Sequence, residues 1–212
     1  MVRIDIVQRL WRKTIRHMCS VRSRIVVDYD RTKRQQLLRE AEGYLDLVTS
    51  CAEELPLQPA LRDRLAQRTL NLLDTINPEG LDREDLFYLR GQAYRVMERH
   101  HEAIQWLEEA TEVNPDNLHT WLALGWCQKR VGRLDLAIQS LEEALSVAPD
   151  HAIIYYNLAC YWSLAKNAKL AIAYLARAFD IDPCYRDLVP NEKDFDAIRH
   201  HPSFLELTSV IV

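Results

Sequence analysis

The sequence predicts an all-α fold, an α-solenoid in which paired antiparallel helices stack along the chain. Three observations predict it. A spacing of 34 recurs in several residue columns, Leu, Ala, Glu and Arg are frequent, and the 212 residues include only 5 Gly and 8 Pro. Such composition suits helices and leaves little material for hairpin turns. A fixed period of this size marks stacked supersecondary units, each covering its neighbour's apolar face.

Residues 1–34 stand apart by charge. They hold ten Lys/Arg against three Asp/Glu, whereas the whole chain carries a net charge of -4. Val7, Leu10, Trp11, Ile15 and Met18 fall near a helical period, with Arg9, Arg12, Lys13 and Arg16 on the remaining faces, so a basic amphipathic helix is expected. Four roles fit it: a cover docked on the acidic remainder of the chain, a membrane-surface helix, an organelle-targeting presequence, or a nucleic-acid contact. A misassigned start, with Met18 as the first residue, is a further reading. Residues 35–83 follow as a helical pair, and their reading depends on the columns downstream.

Those columns fill residues 84–185. Gly91 and Gly125 are 34 apart, as are successive members of Ala103, Ala137 and Ala171, of Ala110, Ala144 and Ala178, and of Pro115, Pro149 and Pro183. With repeats at 84–117, 118–151 and 152–185, the fourth residue is aromatic (Phe87, Trp121, Tyr155) and the twenty-fourth is leucine (Leu107, Leu141, Leu175). Small residues at the eighth and twentieth positions let two helices approach closely. Proline at the thirty-second ends each second helix, because it lacks an amide hydrogen and disfavours helix in the residue before it.

This pattern resembles the tetratricopeptide repeat (TPR), and the resemblance implies a right-handed superhelix of helix-turn-helix units. Upstream, Ala66, Leu70, Leu73 and Pro78 match the same columns, so 35–83 reads as a degenerate repeat with a stretched connection around Leu55–Pro59. Downstream, 186–212 resembles the capping segment of bacterial TPR arrays. Phe195, Ile198, Phe204 and Leu207 are expected to cover the face that the last repeat leaves open.

The resemblance also implies where a ligand sits, since first helices of TPR units line a concave groove. By register the groove-facing residues are Asp85, Tyr88, Gln92, Arg95 and Val96, then His119, Leu122, Trp126, Lys129 and Arg130, then Ile153, Tyr156, Cys160, Ser163 and Leu164. Asn157 matches an asparagine with which some TPR grooves grasp a peptide backbone. Arg95, Lys129 and Arg130 suit a carboxylate or an acidic peptide, or else form a solvated face. Tyr88, Trp126 and Tyr156 are flat anchors for a partner, or else pack between repeats. The clamp that grips the Glu-Glu-Val-Asp tail of heat-shock chaperones is missing, because its sites carry Tyr88, Gln92, Ala123, Ile153 and Asn157.

No phosphate loop, HExxH or GxSxG motif occurs, so no enzyme activity, cofactor or small-molecule substrate is expected. Nor is a metal. The five cysteines are scattered, without a CxxC pair, and the histidine pairs 100–101 and 200–201 point about 100° apart on a helix. A cytoplasmic, reducing location follows from the free cysteines and from charges that interrupt every apolar run. The expected function is a scaffold that binds a protein or peptide ligand, with self-association compatible. The alternative is a membrane-surface or nucleic-acid adaptor acting through residues 1–34.

Overall fold

In a computed structural model of the chain, which describes residues 30–49, 57–77 and 82–209, every regular element among them is helical. The order is α1 (30–49), α2 (Pro59–Leu73), α3 (Arg83–Val96), α4 (His100–Val113), α5 (Leu118–Arg130), α6 (Leu134–Val147), α7 (Ala152–Leu164) and α8 (Ala168–Ile181). Two 3-10 segments, Pro183–Asn191 and Lys193–Phe195, then lead to α9 (Pro202–Thr208). The basic N-terminal element expected over 1–34 lies outside the described residues, apart from 30–34, which belong to α1.

The 34-residue period reappears as backbone geometry. First and second helices of each hairpin are joined by three residues, and the middle one is left-handed each time: Glu98 at φ 61°, Gly132 at φ 81° and Lys166 at φ 59°. The same six-residue closure caps all three first helices, with Arg99 N donating to Tyr94 O, Arg133 N to Gln128 O and Asn167 N to Trp162 O. This is the Schellman arrangement, in which glycine carries no penalty and other residues carry about 1–2 kcal/mol. Lys166→Gly should therefore stabilise the fold by about 0.5–1 kcal/mol after the glycine's extra unfolded-state entropy is subtracted. Thermal denaturation reads this as a rise in Tm.

Second helices stop in equally regular fashion. Asn114, Ala148 and Asp182, each just before a proline, leave the helical region with φ between -138° and -142°, as the proline ring favours in its predecessor. The fourth-position aromatics then tie back to these turns, Trp121 Nε1 donating to Pro115 O at 2.7 Å and the Tyr155 hydroxyl to Pro149 O at 2.9 Å. A buried polar pair joins α5 and α6, where the Ser140 hydroxyl donates to Gln128 Oε1 at 2.7 Å.

The core is what the columns dictate. Ala103, Leu107 and Ala110, with their counterparts 34 and 68 residues on, are fully buried. On α1 the buried residues are Leu38, Ala41, Leu45 and Val48, spaced by three or four, and the first three cluster with Ala66, Leu70 and Leu73 of α2. The Thr69 hydroxyl bonds Ala41 O at 3.3 Å across this pair. At the other end Val189, Phe195, Ile198 and Phe204 join the core of α7 and α8, so the chain itself covers the last repeat. Leu207 packs against that core half-buried.

Candidate functional site

First helices stand side by side, and their shared face divides into three sectors. The first is a hollow of about 590 Å³ between α1, α3 and the start of α5, lined among others by Arg39, Glu42, Asp82, Asp85, Tyr88 and His119. It is mainly acidic. Desolvation, then the neighbouring Glu84, Asp82 and Glu42 carboxylates, push the Asp85 carboxyl above its ordinary range. Glu84 ties α3 to the turn before α5 by accepting from Asn114 Nδ2 at 2.7 Å and from Asn117 Nδ2, a lining residue, at 2.5 Å. Asn117 in turn caps α5 by accepting from the amides of His119 and Thr120.

The second sector is centred on half-buried Trp126. Two guanidinium groups approach its ring, Arg95 from α3 at 5.5 Å and Arg130 from α5 at 5.6 Å, while His100 meets it edge-on at 5.2 Å. Arg95 Nε donates to Gln92 Oε1 at 2.6 Å. Among the described residues neither guanidinium has a carboxylate within ion-pair reach. Desolvation and then Arg130 lower the pKa of His100, which keeps the imidazole neutral and leaves the positive charge on the arginines. Such a surface attracts an anion by charge-assisted hydrogen bonds while its ring offers apolar contact.

The third sector is closed. The segment after α8 turns back over α7, and Phe195, with no exposed surface, meets Tyr156 edge-on at 5.8 Å and Phe204 at 5.5 Å. Tyr185 also meets the Tyr156 ring, at 5.1 Å. The neighbouring Asp194 accepts from Lys129 Nζ at 2.5 Å, and that ammonium also lies 5.4 Å from the Tyr161 ring. Cys160, Glu192 and Asp194 each bring one possible metal-ligating atom to within 4.8 Å of the others. Lys129 already supplies the cation there, and Glu192 is engaged as the acceptor for the Asp194 amide.

Comparison with known proteins agrees with this geometry. One tetratricopeptide-repeat family model matches residues 82–150 and another matches 128–183. The chain is a tetratricopeptide-repeat protein. Similar solved TPR-type structures include a crystal structure of MamA, at 18% identity and TM-score 0.56 over 76% of this chain and 85% of that one. MamA from Desulfovibrio magneticus RS-1, residues 41 to the end, aligns at 19% identity and TM-score 0.54 over 80% and 96% of the two chains. YrrB, described as a TPR protein with an unusual peptide-binding site, aligns at 22% and TM-score 0.56 over 76% and 86%. At these identities the likeness is one of fold. A search of curated protein sequences finds no match.

The TPR register places the expected groove residues unevenly. Tyr88 and His119 line the hollow. Gln92, Arg95, Trp126 and Arg130 gather in the second sector, with Leu122 half-buried one turn before Trp126. Lys129 is not a free cation, being held by Asp194. Tyr156 and Cys160 are 5% and 2% exposed and therefore offer nothing to an incoming ligand; the TPR register turns them to the groove, but the chain's own tail fills that stretch. Asn157 is half-buried on α7. His100, not among the residues the register turns to the groove, begins α4 and touches Trp126. Its i,i+34 counterpart Leu134 gives no aromatic or ionisable signal, so periodicity does not mark it.

Cys127 and Cys160 offer no nucleophile at neutral pH. Burial pushes the Cys127 thiol up to about 12 and raises that of Cys160 as well, so at neutral pH both stay protonated and enclosed. Maleimide labelling of the folded chain, read by peptide mass spectrometry, should modify exposed Cys184 and spare Cys127 and Cys160 until denaturant is added.

Proposed function

We propose that this chain is a non-catalytic scaffold that binds a peptide, or an extended segment of a partner protein, on the face made by α1, α3 and α5. The observation that carries this reading is the second sector: an accessible tryptophan with two arginines that no carboxylate among the described residues neutralises, beside an open hollow. Buried aromatic and arginine anchors supply most of the energy in protein interfaces. A partly exposed trio of this kind, adjoining a concavity, suits a ligand bearing a carboxylate and an apolar side chain. The peptide-binding description of YrrB supports the same use of the fold. A cytoplasmic setting belongs to this reading and rests on the scattered cysteines. No helix among the described residues is long and apolar enough to cross a membrane.

The test is affinity capture from the native source with wild type, Trp126→Ala, Arg130→Ala and a chain lacking residues 1–29. Trp126→Ala should weaken capture of the specific partner at least about 30-fold, the lower bound for a hot spot, while the truncation leaves it intact. If the truncation alone abolishes capture and Trp126→Ala does nothing, the N-terminal adaptor reading replaces this one.

A further inference from the structure

The chain displays one occupant of its own first-helix face, and the repeat symmetry shows where a second would go. In the closed sector an Asp-Phe step is held by two repeats at once. The carboxylate of Asp194 lies on Lys129, the twelfth residue of one repeat, and the ring of Phe195 lies against Tyr156, the fifth residue of the next. Subtracting 34 from both contacts gives Arg95 and Leu122, and subtracting it from Cys160 gives Trp126. Arg95 is a cation like Lys129 but has no carboxylate partner among the described residues, the half-buried Trp126 ring lies beside it, and Leu122, one turn before Trp126 on α5, is half-buried too. Their counterparts one repeat on are buried by the tail.

Resting on the reading of this face as the binding surface, we propose that the sector between α3 and α5 recognises an acidic residue followed by an aromatic one, in an external partner, in the mode of Asp194-Phe195. The ligand's carboxylate meets Arg95, with Arg130, also 5.6 Å from the Trp126 ring, adding charge, and its ring rests against Leu122 and the rim of Trp126. Trp126 is larger than Cys160, so the ring sits higher than Phe195 does. The source is another protein because the chain's one Asp-Phe step is engaged: Phe195 has no exposed surface. Charge favours the assignment too, since a basic ligand would bring its cations against two guanidinium groups that have no carboxylate partner among the described residues.

The probe is a fluorescent synthetic peptide copying residues 190–197 of this chain (Pro-Asn-Glu-Lys-Asp-Phe-Asp-Ala), titrated with the full chain and followed by anisotropy. Binding should fall about tenfold or more for Arg95→Ala and for a peptide with asparagine at its fifth position, the fold-change expected on losing a charge-assisted hydrogen bond. Arg95→Lys should retain most of it. Lys129→Gln should stay within about twofold of wild type, by the same conversion. Circular dichroism confirms that the variants are folded. The proposal is overturned if the peptide does not bind. It fails equally if Arg95→Ala binds like wild type, or if Lys129→Gln abolishes binding, which would mean that the peptide displaces the internal segment. A dimer of the chain that Arg95→Ala dissolves would make a second copy the occupant and also overturn it. Partner capture that still depends on Trp126 while the peptide fails would leave the scaffold reading standing and remove only this one.

Discussion

Phe195→Ala is expected to lower stability by about 3–5 kcal/mol, the usual loss for a buried aromatic truncated to alanine. Its ring is fully enclosed and wedged between Tyr156 and Phe204, so removal leaves a cavity that three separate elements would have to close. Because repeat arrays couple mainly through nearest neighbours, the loss should concentrate in α7, α8 and the tail. Urea denaturation followed by fluorescence and by labelling of Cys160 measures both parts. An early labelling phase at Cys160, ahead of Cys127, is the expected signature. A loss under about 1 kcal/mol, the size of a surface substitution's effect, would mean that the tail does not cover α7.

Gly91→Val should be nearly as damaging, at about 1–3 kcal/mol, for the opposite reason. A Cβ at Gly91 would lie 2.6 Å from Leu107 Cγ and 2.7 Å from its Cδ2, with Ala103 O at 3.5 Å. Leu107 is itself fully buried and cannot swing aside, so α3 and α4 must separate. Gly43, on the exposed side of α1, supplies the control: nothing lies within 4 Å of its Cβ position. Gly43→Ala should therefore raise stability by about 0.5–1 kcal/mol through helix propensity alone. Paired thermal melts of the two variants decide the matter, and a Gly91→Val chain as stable as wild type would show that the two helices are farther apart than described.

The repeat was legible because its columns are steric. Alanine at 103, 137 and 171 marks a close helix crossing, and proline at 115, 149 and 183 marks a chain reversal, whatever partner the protein serves. Even the left-handed residue of each loop keeps the period, although only Gly132 announces it by composition; Glu98 and Lys166 adopt the same conformation because the closure around them is fixed by flanking hydrogen bonds. The site was legible in part. Register brought Arg95, Trp126 and Arg130 to one face, but it could not show that two guanidinium groups from different helices share one ring.

The largest difference concerns Lys129, Tyr156 and Cys160. Family register turns them to an open groove, and the structure buries or neutralises them under Glu192–Phe195. That contact joins residues 65 apart with no periodic relation, and aspartate and phenylalanine in a capping segment read as solvent-facing acid and core filler respectively. A signal did exist. Tyr156 and Cys160 sit in a helix, Ala152–Leu164, apolar around nearly its whole circumference, and such a helix needs cover on every side.

In the function proposed above, partners meet the chain on the face of α3 and α5 rather than on its second helices or its basic terminus. Site-specific photocrosslinking tests it most directly, with benzoylphenylalanine placed at Leu122 on α5 and, separately, at exposed Glu142 on α6. A partner adduct formed from position 122 and not from position 142 is the predicted result. An adduct from position 142 alone, in a chain whose melting matches wild type, would contradict it.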